Sequence, residues 1–185
     1  MARLDILTAN DEVGAYPASW YAATATPPAE QPQAKGDLSC DVCVVGAGFT
    51  GLSAALHLAE RGYDVILLDA HRAGFGASGR NGGQVSGTQR LDQDELEKMV
   101  GLDAARGLWE IGQDSVKVLR GLIDAHKIDA RWVSGVIHAD HRARFVAHSK
   151  AYAEKLQGFY GYGLIRALDK SEIRNLVGSD AYHGG

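Results

Sequence analysis

The sequence predicts an α/β protein that opens with a βαβ unit and runs through helices into the start of a mixed α+β region. Three observations carry this. Two apolar runs, "DVCVV" (Asp41–Val45) and "DVILLDA" (Asp64–Ala70), have the length and β-branched content of buried parallel strands. Between them Leu52, Ala55, Leu56 and Ala59 recur at the i, i+3, i+4, i+7 spacing of a helical stripe, which Gly62 ends. Farther on, a long apolar stripe (Leu108, Trp109, Gly112, Val116, Leu119, Leu122, Ile123) predicts a helix over about 102–126.

The elements follow in order. Residues 1–37 hold all four prolines (Pro17, Pro27, Pro28, Pro32), and "ATPPAEQPQAKGD" reads as an extended arm. Within that arm "YPASWYAATA" carries Tyr16, Trp20 and Tyr21, too aromatic for a solvated tail, and is expected to dock on the body. Strand, helix and strand make a βαβ unit with a right-handed crossover. In "LDQDELEKMVG", Asp92 and Glu95 stand at capping-box spacing. "RWVSGVIHA" (Arg131–Ala139) reads as a strand. Phe145, Ser149, Tyr152, Leu156 and Phe159 stripe another helix, "LIRAL" suits a strand, and Asp169 with Glu172 suits the cap of a last short helix. The expected division is an arm over 1–37, the βαβ unit with its following loop over 38–90, a helical segment over 91–130, and a partial domain over 131–185.

Composition narrows the function classes. The chain is 45% hydrophobic and 23% charged, as expected for a protein with a buried core. A net charge of −4 and the lack of any Lys/Arg run argue against nucleic-acid binding. No stretch approaches the about 18 apolar residues of a membrane span. The N-terminus "MARLDILTANDEVG" carries acids early and has no signal-peptide core, so a cytoplasmic location is expected. Cys40 and Cys43 form a C-x-x-C on a strand rather than at a helix N-terminus, which disfavours redox chemistry and predicts Cys43 as a buried strand residue. His138 and His141 lack further partners at ligand spacing, and no metal site is assigned.

The turn between the first strand and the helix carries the chemistry. Gly46, Gly48 and Gly51 form a G-x-G-x-x-G, and Asp69 ends the second strand eighteen residues after Gly51. In a dinucleotide-binding unit the first glycine permits the tight turn and the second lets a pyrophosphate approach the backbone. The third lets the helix pack closely. With Phe49 and Thr50 these residues place free N–H groups and a helix dipole toward phosphate, while Asp69 can accept from a ribose hydroxyl and disfavours a 2′-phosphate. Ala70 and Arg72 follow directly as cofactor-contact candidates, Arg72 either reaching the adenosine or, the more frequent case, standing as a solvated loop arginine. The unit by itself does not separate NAD from FAD.

The next segment, "AGFGASGRNGGQVSG" (Ala73–Gly87), does separate them. It sits at the carboxyl end of the second strand, where ligands of open α/β sheets bind, and its small residues allow backbone to approach a flat ring. Over Cys40–Gln84 the chain resembles the FAD-dependent amine and amino-acid oxidoreductases of the D-amino-acid oxidase type, with further likeness in "WYAATA" and "YHGG". That resemblance implies that the βαβ unit is an FAD-binding, Rossmann-like one and that the mixed region begins a substrate domain. It adds Ala77, Ser78, Arg80, Asn81, Gly82, Gly83 and Gln84 as cofactor contacts, with Arg80 either facing reduced flavin or pairing with phosphate or a surface acid.

Members of that family are commonly more than twice this length, so the chain is expected to match an N-terminal portion. The resemblance implies oxidation of the C–N bond of a small amine or amino acid by hydride transfer to flavin, hydrolysis of the imine, and O2 as acceptor. It assigns no catalytic side chain, and the substrate contacts are expected after Gly185. Two rivals stay open: a truncated, non-catalytic nucleotide-binding piece, and an NAD-dependent dehydrogenase.

Overall fold

The computed structural model describes residues 15–185, so the acid-bearing N-terminus lies outside the described residues. The chain divides into two units, Met1–Gly83 and Gln84–Gly185.

The first unit is built on two parallel strands and one helix. Strand β1 (Val42–Val45) pairs with β2 (Val65–Leu68), Val42 opposite Val65 and Val45 opposite Leu68. A short helix α1 (Trp20–Thr24), capped by the Ser19 hydroxyl, precedes them, and α2 (Phe49–Glu60) connects them. Helix α2 packs on both strands, with Ala55 and Leu56 of the predicted stripe half-buried but Leu52 and Ala59 exposed. The ladder continues past the strands, with Gly46 N–H donating to the Leu68 carbonyl at 2.7 Å. At the opposite end Asp64 N–H donates to the Asp41 carboxylate at 2.9 Å. The predicted βαβ order is therefore present.

Two expectations for this region need correction. Cys43 is exposed rather than buried. Successive strand residues face opposite sides, and α2 covers the side of Val42 and Val44. Cys43 and Val45 face the other side, where Val45 is 83% exposed. The aromatic arm is only partly docked. The Tyr16 hydroxyl donates to the Ala73 carbonyl at 2.8 Å, but Trp20 stays 76% exposed.

The second unit is helical: α3 (Gln93–Val100), α4 (Leu102–Ala125), α5 (Ala143–Gly158) and α6 (Lys170–Val177). Asp92 caps α3 by accepting from Glu95 N–H, and Gly101 at φ +82° turns the chain directly into α4. Asp169 and Glu172 form the full reciprocal box, and Gly178 closes α6 in the left-handed region. The core holds Leu96, Ala105, Trp109, Ala153, Leu156 and Ile173. Trp109 meets the rings of Tyr160 and Tyr162, at 5.2 and 5.3 Å.

Neither strand expected in this unit forms. Arg131–Ala139 runs without a ladder. Arg131 at φ +48° and Gly135 at φ +103° interrupt its extended backbone, and Val133 and Val136 are 85% and 72% exposed. "LIRAL" likewise pairs only at its last residue, where Leu168 and Gly185 exchange N–H···O bonds of 2.6 and 3.1 Å. β-branched content favours a strand only where a neighbour exists to pair with and pack on.

A polar cluster joins α3 to α5. Lys155 Nζ donates to Asp94 Oδ1 at 2.5 Å and to Glu97 Oε2 at 2.6 Å, and the Tyr160 hydroxyl donates to Glu97 Oε1 at 2.6 Å. The Lys155 and Tyr160 bonds hold the Glu97 carboxyl below the ordinary range. Burial works against the Lys155 charge, but its two carboxylate partners outweigh it and keep the ammonium above its usual value. Burial and the bond to Glu97 push the Tyr160 hydroxyl up.

Candidate cofactor site

The glycine turn is shaped by its own backbone. Gly46 leaves β1 at φ +102°, a conformation that L side chains rarely adopt. At Gly51 a Cβ would overlap the Gly46 carbonyl oxygen, so only glycine lets the first turn of α2 close over that turn. The third glycine thus packs against the turn and also against the β1 side chain of Val44, the close helix–sheet packing expected for it.

Asp69 ties the end of β2 to this turn. Its Oδ2 accepts from Ala47 N–H at 2.7 Å and its Oδ1 from His71 N–H at 2.8 Å. A carboxylate has about four acceptor positions, so these two bonds leave capacity for a further donor.

The glycine-rich segment is an ordered structure. It contains a 3₁₀ turn at Ala77–Gly79 and folds around Phe75, which is 8% exposed. His71 stacks on the Phe75 ring at 4.1 Å. Arg80 lies over it at 4.9 Å, with Nε donating to the Phe75 carbonyl at 2.9 Å. Asn81 donates to the Ser78 carbonyl at 2.8 Å and accepts from Gly83 N–H at 2.8 Å. Gly74 N–H donates to the Ala47 carbonyl at 2.8 Å, joining the segment to the glycine turn.

At the N-terminus of α2 the Ser78 hydroxyl accepts from Phe49 N–H at 2.9 Å. A Cβ at Gly48 would lie 2.9 Å from the same hydroxyl. The structure therefore brings Gly46, Gly48, Phe49, Gly51, Asp69 and Ser78 together at one end of the sheet. A polar oxygen already stands where a helix N-terminus receives an anion.

The other candidates stand apart from that cluster. Arg72 lies over the Tyr16 ring at 5.4 Å and 3.8 Å from Glu30. Thr50, Ala70, Gly82 and Gly83 are exposed, and Ala77 forms part of the 3₁₀ turn. Gln84 is the first residue of the second unit. Phe75 is the contributor that sequence reading passed over, although it is the lone aromatic in that run of small residues.

The first unit is thus a parallel βαβ unit with a closed glycine turn, an acid at the end of its second strand and a loop over the helix N-terminus. Residues 41–185 match the family described as FAD dependent oxidoreductase (DAO), and the chain belongs to that family. It is 41% identical over 166 residues to "Gamma-glutamylputrescine oxidoreductase" of Escherichia coli K12, covering 90% of this chain and 39% of that protein. It is 37% identical over 167 residues to "Probable oxidoreductase OrdL" of Rhizobium meliloti, again covering 90% and 39%. The protein of the same name from Haemophilus influenzae is 39% identical over 145 residues, covering 78% of this chain and 34% of that one. The chain thus spans about two fifths of the length of these curated relatives. No solved structure matches. Among the described residues no helix is long and apolar enough to cross a membrane.

Proposed function

We propose that this chain is the cofactor-binding part of an FAD-dependent oxidoreductase that oxidises the C–N bond of a primary amine of the gamma-glutamylputrescine kind, with O2 as acceptor and in the cytoplasm. The carrying observation is the closed glycine turn: Gly46–Gly51 held by Asp69 from one side and capped by Ser78 from the other. The substrate class comes from the name of the Escherichia coli relative.

The residues present fit the group. The Ser78 hydroxyl, which takes the Phe49 N–H and stands where a Gly48 Cβ would lie, would itself bond a pyrophosphate oxygen or give up the Phe49 amide to one. Asp69 would accept from the ribose with its remaining lone pairs. Ala77, Arg80, Asn81, Gly82, Gly83 and Gln84 would follow the isoalloxazine side, with Arg80 held ready by Phe75. Bound FAD supplies hydride acceptance from the amine carbon, after which the imine hydrolyses in water.

Titration of the protein with FAD, followed by flavin fluorescence, tests the cofactor. Anaerobic bleaching of the flavin absorbance by gamma-glutamylputrescine, compared with D-amino acids, sarcosine and glycine, tests the substrate. Saturable flavin binding with selective bleaching by the amine supports the reading. Absence of flavin binding in the full-length protein, or reduction by NADH alone, overturns it.

A further inference from the structure

The peptide that joins Ala73 to Gly74 is held from both sides. Its carbonyl accepts from the Tyr16 hydroxyl at 2.8 Å, fifty-seven residues away in the chain, and its amide donates to the Ala47 carbonyl at 2.8 Å. Ala47 lies in the glycine turn, and its own amide ends on Asp69 at 2.7 Å. One line of hydrogen bonds thus runs from the N-terminal arm, through a single peptide unit, to the turn between β1 and α2.

Local sterics leave the orientation of that peptide undecided. Phe75 N–H donates to the Arg72 carbonyl at 3.0 Å, closing a β-turn whose middle residues are Ala73 and Gly74. Gly74 at φ +71° makes the turn type II. Types I and II differ mainly by a flip of the central peptide, and glycine in the third position accepts either. A flip here would turn the carbonyl away from Tyr16 and the amide away from Ala47 at once. Bonds at the two ends of one peptide also polarise each other, so each strengthens its partner. Side chains add to the grip. Arg72 lies over the Tyr16 ring at 5.4 Å and 3.8 Å from Glu30, so two separate points of the arm meet the same β-turn.

We propose that Tyr16 is a positioning residue for the cofactor site. Its hydroxyl selects the type II orientation of the Ala73–Gly74 peptide and so fixes the Ala47 side of the glycine turn, which makes the arm a strap on that turn. Tyr16 and Glu30 precede residues 41–185, the part matched to the family, so the family's own pattern does not supply this role. The effect on flavin rests on the reading of the glycine turn as an FAD site; the orientation of the peptide does not.

The test compares the full-length protein with its Tyr16→Phe variant, which keeps the ring under Arg72 and removes only the hydroxyl. Amide hydrogen exchange is read in the flavin-free proteins by mass spectrometry with residue-resolving fragmentation. Release of FAD from the loaded proteins is followed by the rise in flavin fluorescence on dilution. The expected result is about tenfold faster exchange at the Gly74 amide, with α2 unchanged, and FAD release faster by about threefold or more, the scale of one lost hydrogen bond. Unchanged exchange at Gly74 overturns the proposal. Faster exchange with unaltered FAD release also overturns it, because a bond that serves folding alone would behave that way. Equal acceleration in α2 means general loosening and overturns it as well. A parent that binds no flavin would sink the FAD reading by itself; Gly74 exchange, read without flavin, would still decide whether Tyr16 sets the peptide.

Discussion

The two units hold together by different means. Among the described residues of the first, the buried hydrophobic side chains are Ala47 and Phe75, and several backbone amides end on side-chain oxygens. Ala47 and His71 donate to Asp69, Phe49 to Ser78, Asp64 to Asp41 and Gly83 to Asn81. The second unit buries Leu96, Ala105, Trp109, Ala153, Leu156 and Ile173 and pins α3 to α5 with Lys155. A surface that must offer polar backbone to a charged ligand cannot bury that backbone under apolar side chains. The glycine turn of the first unit is held by such hydrogen bonds instead. The helical unit carries no such demand and packs by area.

The sharpest way to break this contrast is at Gly48. Gly48→Val should weaken FAD binding in the full-length protein by more than about 100-fold, roughly 2.7 kcal/mol or beyond, because the side chain would fill the space beside Ser78. Flavin titration checks it, and unaltered affinity would remove the turn from the site. In the other unit, Trp109→Ala should lower stability by about 3–5 kcal/mol, the usual cost of emptying an aromatic core position. The urea midpoint followed by helical circular dichroism reads this directly.

A smaller effect separates shape from area more finely. Asp69→Ala should weaken FAD by about 1–3 kcal/mol, the scale of hydrogen bonds to a charged group, with little change in the helical urea midpoint. A large shift in that midpoint would show that Asp69 holds more than its own turn. The smallest is Lys155→Met, about 1–2 kcal/mol near neutral pH, since it leaves Asp94 and Glu97 facing each other. The Glu97 carboxyl is depressed in the folded protein, so its contribution is present above the ordinary carboxyl value of about 4.3 and is lost as pH falls through the folded value. The parent should therefore lose more stability than the variant between about pH 5 and pH 3. Parallel acid-induced losses in the two proteins would count against the ion cluster.

What the sequence made legible was local. The βαβ order, the long helix and the Asp169–Glu172 box depend on residues a few positions apart, and each stands where expected. The fate of "RWVSGVIHA" depended on a pairing partner, and that of Cys43 on which face of the sheet is covered; neither is written in the residues themselves. At the candidate site, the fingerprint glycines and Asp69 were visible as a pattern. What Asp69 holds was not, because Ala47 is twenty-two residues away in the chain. Lys155 lies beyond any local signal, sixty-one residues from Asp94 and fifty-eight from Glu97. Long-range polar clusters leave no periodicity to read.

The bond from Ala47 to Asp69 has a consequence for kinetics. With the Ala47 amide on Asp69 and the Phe49 amide on Ser78, the path of the turn is set before a dinucleotide arrives. The ordering cost is met when the chain folds rather than when the cofactor binds, which favours tight retention over rapid exchange. Loosening this one contact should therefore show itself first as a shorter residence time of the bound cofactor.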